Sequence, residues 1–455
     1  MIGRKKIVRL RLYNVRYLLF LVFCLFWGCS NNDIPLIDGT KQLSIKLMPL
    51  TEAYAKNSIN TSVFRKNSIC SDDNYQIVSY YDSEGFVTFA IRKLDSDNWE
   101  IIKSNLQSDC TDAHNSISIA LDGEGYIHIA YDQHGNRMNY RKSLHPYQIV
   151  FSDIQYMVNP NDEQSVTYPE FYRKSNGNLI FVYRDGGSGN GDCVMNEYDL
   201  YTKQWSRIQN NLLDGQMQRN AYWQICMNNN DIIYMSWVWR ESSDVATNHD
   251  MCYAYSIDNG LSWRNSLGNI YSLPINIENS EIAWAIPQNS NLINQTSMTT
   301  DFEGNPYIAT YWSGIDSDVP QYHIIYNKDN IWRQTQISNR TLPFSLSGGG
   351  TKRIPIARPQ FVIDKYGAAF FLFRDQERGE VVSIYYCEDI NNPEWKVKDL
   401  TDFSVEAWEP TIDFDRWKRE GILDVYVQKS YQGDGEVTID NVSAEMAYVL
   451  EVTWK

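Results

Sequence analysis

A short turn followed by an apolar strand recurs along this chain. The turns DSEG (82–85), DGEG (122–125) and SNG (175–177) precede FVTFAI, YIHIAY and NLIFVY. DFEG (301–304), DKYG (364–367) and KREG (418–421) precede NPYIATYW, AAFFLF and ILDVYV. NNND at 228–231 fills the fourth place without a glycine, since Asn and Asp also tolerate turn geometry. Apolar and polar positions alternate within these runs, and helical periodicity is nearly absent. Trp99, Trp205, Trp263, Trp332 and Trp395 each fall where a third or fourth strand would end. A small antiparallel sheet cannot bury both faces alone, so neighbours must stack around an axis. The pattern predicts an all-β, seven-bladed β-propeller in a single domain. A β-helix would need much shorter repeats, and a pair of sandwiches would need a mid-chain linker. SIDNGLSW at 256–263 matches the Asp-box hairpin SxDxGx[ST]W, which shapes a turn between outer strands.

The segment ahead of the repeats has a different character. Residues 1–16 carry Arg4, Lys5, Lys6, Arg9, Arg11 and Arg16 and no acid, and 17–27 is an apolar run too short for a membrane span. Gly28-Cys29 closes it in the manner of a bacterial lipoprotein cleavage site. The reading is a signal peptide at 1–28, lipidation at Cys29, a tether over 29–45 and the propeller over 46–455. It places the protein on the outer membrane, facing the periplasm or the outside, held by lipid alone and expected to be monomeric. Cleavage removes six of the 41 basic residues and none of the 56 acidic ones, taking the formal charge from −15 to −21. That excess argues against nucleic acid as a partner. An anionic substrate must then meet a local basic pocket. Six cysteines remain in an oxidising compartment, and Cys70 with Cys110 is the first pairing to expect.

Polar residues gather where a propeller binds ligands, at the ends of its inner strands. Residues 112–143 hold His114 ahead of one strand, His128 inside the next and His134 just past it. The third unit contributes Tyr168 at the start of a strand and Arg184 at the end of its partner. The fourth contributes Arg219 and Tyr222, then Trp239 and Arg240, followed by His249. Tyrosine, arginine and two histidines without an obvious carboxylate pair do not suit a glycosidase, which needs two carboxyl groups across the bond. They suit β-elimination from a uronic acid. A cation neutralises the carboxylate, a base takes the C5 proton, and an acid protonates the leaving oxygen on C4. Arg offers bidentate charge, a Tyr beside it an accessible phenolate, and His a proton carrier.

The stretches AHNSISIALDGEGYIHIAYDQHGN, TYPEF…FVYRDGGSG, RNAYW…SWVWRE, NHDMCYAYSIDNGLSW and AWEPTIDFDRWKREG together resemble the BNR-repeat proteins over about residues 75–430. That family includes seven-bladed polysaccharide lyases acting on ulvan or on rhamnose-linked glucuronate. The resemblance implies catalytic roles for His114, His134, Tyr168 and Arg184, with Tyr168 as base and also acid. Arg184 and a His would neutralise the carboxylate, and Tyr222 would be a further aromatic at the site. Arg219, Trp239, Arg240 and His249 are expected to bind substrate, an acidic polysaccharide. No cofactor is expected. His249 and Cys252 do not assemble four ligands, so no metal is assigned.

Two other readings fit parts of the chain. Some relatives in this resemblance are α-L-rhamnosidases, and a non-catalytic glycan-binding lipoprotein would use the same arginines and the 31 tyrosines. A sialidase would share the propeller and its Asp-boxes. Here the Asp-box is single, and Arg353-Ile354-Pro355 lies in the sixth unit, far from a sialidase's N-terminal arginine motif.

Overall fold

The computed structural model describes residues 41–63 and 67–455. The signal peptide, most of the tether and Cys29 lie outside the described residues. Seven antiparallel sheets follow one another, and the first strand of each contacts the first strand of a neighbour. Blade 1 is built from Ile69–Ser71, Tyr75–Tyr81, Phe86–Lys93 and Glu100–Gln107. Blades 2 to 6 begin at Ser118–Leu121, Val166–Arg173, Asn220–Met227, Ser297–Thr300 and Gln360–Ile363. Blade 7 takes Thr411–Ile412, Leu423–Gln428 and Glu445–Trp454 from the C-terminus and Leu43–Ala53 from the N-terminus. Leu43 lies opposite Trp454, so the two ends of the propeller chain close the ring. That strand begins inside the stretch read as tether.

Burial explains the pattern of each blade. The second strands, such as Leu179–Asp185 and Ile233–Arg240, are buried almost throughout because neighbouring blades cover both faces. Outer strands such as Gln204–Gln209 alternate instead. Between blades 3 and 4 the core holds Trp223, Trp237, Trp239 and Trp263. The Asp-box is structural as expected. Asp258 accepts from Ser256 Oγ at 2.8 Å and from the Ser262 amide at 2.9 Å, while Trp263 Nε1 reaches the Gly260 carbonyl at 3.1 Å.

Three details depart from the sequence pattern. DSEG at 82–85 joins the second and third strands of blade 1, whereas the other turns follow the first strand. The equivalent turn in blade 1 is at 72–74, where Asp72 Oδ1 accepts from the Asn74 and Tyr75 amides, both at 2.8 Å. In blade 7 the connection is a helix, Phe414–Glu420, capped by Asp413 on the Arg416 amide and ended by Gly421 at φ 67°. The expected Cys70–Cys110 disulfide is also absent. Cys70 is on the innermost strand of blade 1 and Cys110 on the connection leaving its outermost strand; both are buried free thiols.

Candidate active site

Strand register brings the candidate residues to one rim. Thr167 pairs with Arg184 across the first two strands of blade 3, and Asn220 pairs with Arg240 across those of blade 4. The short strand His134–Asn136 adds to the inner edge of blade 3, with His134 opposite Thr167. Tyr168 sits in a break of the register between Thr167 and Glu170. Its φ of 58° is the left-handed region, unusual for an aromatic residue ahead of proline. A bulge of this kind re-aims a side chain, at a cost of order 1–3 kcal/mol in backbone strain.

The side chains line a cavity of about 330 Å³, with His114, His134, Tyr168, Arg184, Tyr222 and Arg240 on its wall. The guanidinium of Arg184 lies 4.8 Å over the Tyr168 ring and that of Arg240 lies 5.3 Å over Tyr222. Tyr168 is 6.0 Å from His114 and 6.2 Å from Tyr222, centre to centre. The imidazoles of His114 and His134 stack at 4.2 Å, and both turn Nδ1 to Asp112, at 3.0 and 2.5 Å. Asp112, His114 and His134 bring three potential metal-ligand atoms together, but the Asp112–histidine separations are those of hydrogen bonds and the trio is internally bonded. His114 also meets Glu436 at 3.2 Å.

The electrostatics follow from these contacts. Burial would depress His114, but Asp112 and Glu436 outweigh it and raise the imidazole from 6.5 to about 9. Burial likewise works against Asp112, yet the two histidines hold its carboxyl below the usual range. Burial and Tyr222 push the Tyr168 phenol up, against the pull of Arg184, Arg240 and Arg358. For Tyr222, burial is overcome by Arg240 and then Arg184, and the phenol is lowered. The His114 shift has a sign. An imidazolium favoured in the folded state stabilises it fully below pH 6.5, and that stability is lost as pH rises through about 9. The melting temperature is therefore expected to fall more steeply between those pH values in the parent than in His114→Gln. Parallel slopes in thermal melts would contradict the ion-paired imidazolium.

Arg184 and Arg240 are only 3 % and 8 % exposed, yet neither has a carboxylate within 4.0 Å among the described residues. Arg184 donates to Thr167 Oγ1 at 3.2 Å and Arg240 to the Ser243 carbonyl, and the Nε of each is buried without a hydrogen-bond partner. An uncompensated buried cation costs several kcal/mol. Two of them facing one cavity make a receptor for an anion.

Other expectations are corrected. Trp239 is fully buried in the core between blades 3 and 4 and cannot stack on a substrate there. Alternation puts it on the opposite face of its strand from Arg240. Arg219 and His249 do not line the cavity. Both bind Glu241, at 2.8 and 2.9 Å, and the other ring nitrogen of His249 faces Asp250 at 3.0 Å. His128 is core, held by Asp122 and the Tyr140 hydroxyl. The sequence reading missed Asp112, Asn294, Lys352, Arg358 and Glu436. Arg358 forms a buried pair with Glu409 at 2.7 Å. A signal for this pair existed. Arg358-Pro359 and Glu409-Pro410 precede the inner strands of blades 6 and 7 as Tyr168-Pro169 opens that of blade 3.

A family model described as BNR repeat-containing family member matches residues 75–340. A short isoform of ulvan lyase from Alteromonas sp. (strain LOR) is 37 % identical over 59 residues, 13 % of this chain and 11 % of the relative's length. The polysaccharide lyase Uly1 superposes with a TM-score of 0.67 at 14 % identity, over 90 % of this chain and 99 % of its own. An ulvan lyase bound to -[GlcA(1-4)Rha3S]- superposes with a TM-score of 0.61 at 16 % identity, over 89 % and 95 %. These likenesses establish the shared seven-bladed fold.

Proposed function

Because the chain belongs to the BNR repeat-containing family, we propose that it is a polysaccharide lyase that cleaves a glucuronate-containing, ulvan-like glycan by β-elimination. The observation that carries this reading is the pair of buried guanidiniums, Arg184 and Arg240, left without carboxylate partners beside two tyrosines. They grip the uronate carboxylate and take up the negative charge that spreads into it as the C5 proton leaves. His114, already an imidazolium at neutral pH, adds fixed positive charge. The phenols divide the two roles that the resemblance gives to Tyr168 alone. Tyr222, lowered by the guanidiniums, takes the C5 proton. Tyr168, kept protonated by burial, delivers one to the O4 leaving group. The C5–H electron pair forms the C4–C5 double bond as the C4–O4 bond breaks.

A glycosidase mechanism fits less well. Glu436 is the only acid among the described residues lining the cavity, and it already accepts from His114 and from the Thr351 amide at 2.7 Å. Among the described residues no second carboxyl lines the cavity across from it. The test is a panel of glucuronate-rich glycans followed by ultraviolet absorbance of the unsaturated uronate. Free rhamnose without absorbance would indicate the hydrolase, and binding without cleavage a glycan-binding protein.

The base assignment has its own expected result. Arg240→Gln removes the cation that most lowers Tyr222, so the phenolate should form only at higher pH. The acid limb of the kcat/KM profile is expected to move upward. An unmoved limb would return the base role to Tyr168.

A further inference from the structure

A closed circuit of contacts walls the cavity. From His114 it passes to Glu436 at 3.2 Å, and from that carboxylate to the amide of Thr351 at 2.7 Å. The chain then runs back to Gly348, whose amide donates to Asp244 at 2.6 Å and whose carbonyl accepts from Val245 at 3.0 Å. Ser243, one residue before, accepts from Arg240. Arg240 covers Tyr222, Tyr222 touches Tyr168, and Tyr168 returns to His114. Residues 348–352 belong to the connection between blades 5 and 6, yet they touch the outgoing loops of blades 4 and 7. Residues 349–352 line the cavity, and the segment forms a strap between those two loops.

The strap is fitted closely at both ends. A Cβ on Gly350, which has φ of +73°, would stand 3.1 Å from the Cα of Gly435, and one on Gly349 would stand 3.4 Å from the Ser243 carbonyl. Lys352 Nζ pairs with Asp434 at 2.7 Å, a second pin on the blade 7 side. Arg358 and Asn294 line the same cavity, joined by a contact of 3.4 Å from the guanidinium to the Asn294 carbonyl. At about 330 Å³ the cavity is at the small end of ligand pockets, about 300–1,000 Å³.

A groove open at both ends lets a polymer lie across it, whereas a well admits an end. We propose that the strap at 348–352 makes this site a well, so that the protein takes uronate chains by their ends and releases short products. This rests on the lyase reading above. It assigns the substrate class to chain termini and short oligosaccharides, and it assigns that restriction to the strap.

The test follows a long glucuronate–rhamnose polysaccharide by ultraviolet absorbance and size-exclusion chromatography together, with a short oligosaccharide of the same repeat alongside. The expected result is rising absorbance while the polymer peak keeps its position and short products accumulate. The initial rate should scale with the number of chain ends. Early collapse of polymer size at low absorbance would overturn the proposal. In Asp244→Ala/Asp434→Ala, which removes one side-chain pin from each end of the strap through residues outside the cavity wall, the strap is loosened, so internal cuts should appear and polymer size should fall early. A folded double variant with an unchanged product profile would also overturn the strap's role. No absorbance on either the polymer or the oligosaccharide would overturn the lyase reading itself, and with it this proposal.

Discussion

Tyr168→Phe is expected to lower turnover by about 10²–10⁴-fold, the range in which a positioned acid or base contributes. Tyr168 lies between His114 and Tyr222 and beneath Arg184, so no neighbouring phenol can occupy its place. Phenylalanine keeps the ring, its contact with the guanidinium and the same demand on the left-handed backbone at φ 58°. The change should therefore cost no more stability than a buried hydroxyl's hydrogen bond, about 0.5–1.5 kcal/mol. Single-turnover kinetics with thermal melts would check both halves. Activity within about tenfold of the parent, against that 10²–10⁴ expectation, would remove Tyr168 from the proton transfers.

Arg184→Met should produce a comparable loss with the opposite signature in stability. Methionine retains much of the stem volume but removes a cation that is 3 % exposed and has no carboxylate partner. Relieving that desolvation should leave the melting temperature unchanged or raise it, as when a residue is kept for function at the expense of stability. Catalysis should suffer in kcat more than in KM, because the guanidinium interacts most strongly when charge has moved into the carboxylate. Arg184→Lys restores charge without the two-point grip and should recover only part of the rate. A melting temperature many degrees lower in Arg184→Met would identify the residue as a pin between strands. The site would then lie elsewhere.

The architecture was readable because its punctuation is chemical. An Asp or Asn side chain closing a tight turn, often with a glycine at positive φ, marks the connection after an inner strand in most blades. Asp122 accepting from the Glu124 and Tyr126 amides is one instance. The turn at 72–74 lacks glycine, so the glycine turn at 82–85 carries the stronger signal and shifts the first predicted unit by one strand. The helix Phe414–Glu420 escaped notice because one short element inside a repeat carries too few residues for a 3.6 period to show.

The site was readable as far as strand ends reach. Tyr168 and Arg184, or Tyr222 and Arg240, meet because each pair flanks a hairpin whose register follows from its turn. Trp239 went astray for the same reason inverted. It neighbours Arg240, and one step along a strand exchanges the cavity for the core. Glu436 and the strap come from loops distant in sequence, and loop pairing leaves no periodic trace. Arg219 and His249 were drawn to the site by residue type, but Glu241 claims both.

The central claim is elimination, and the mass of the cleavage product made in oxygen-18 water tests it most directly. β-Elimination breaks the C4–O4 bond without water. The account therefore predicts a new non-reducing end lighter by one water than the hydrolysis product, unsaturated between C4 and C5, with no solvent oxygen in either fragment. A product of full hydrolytic mass carrying one oxygen-18 atom would contradict it.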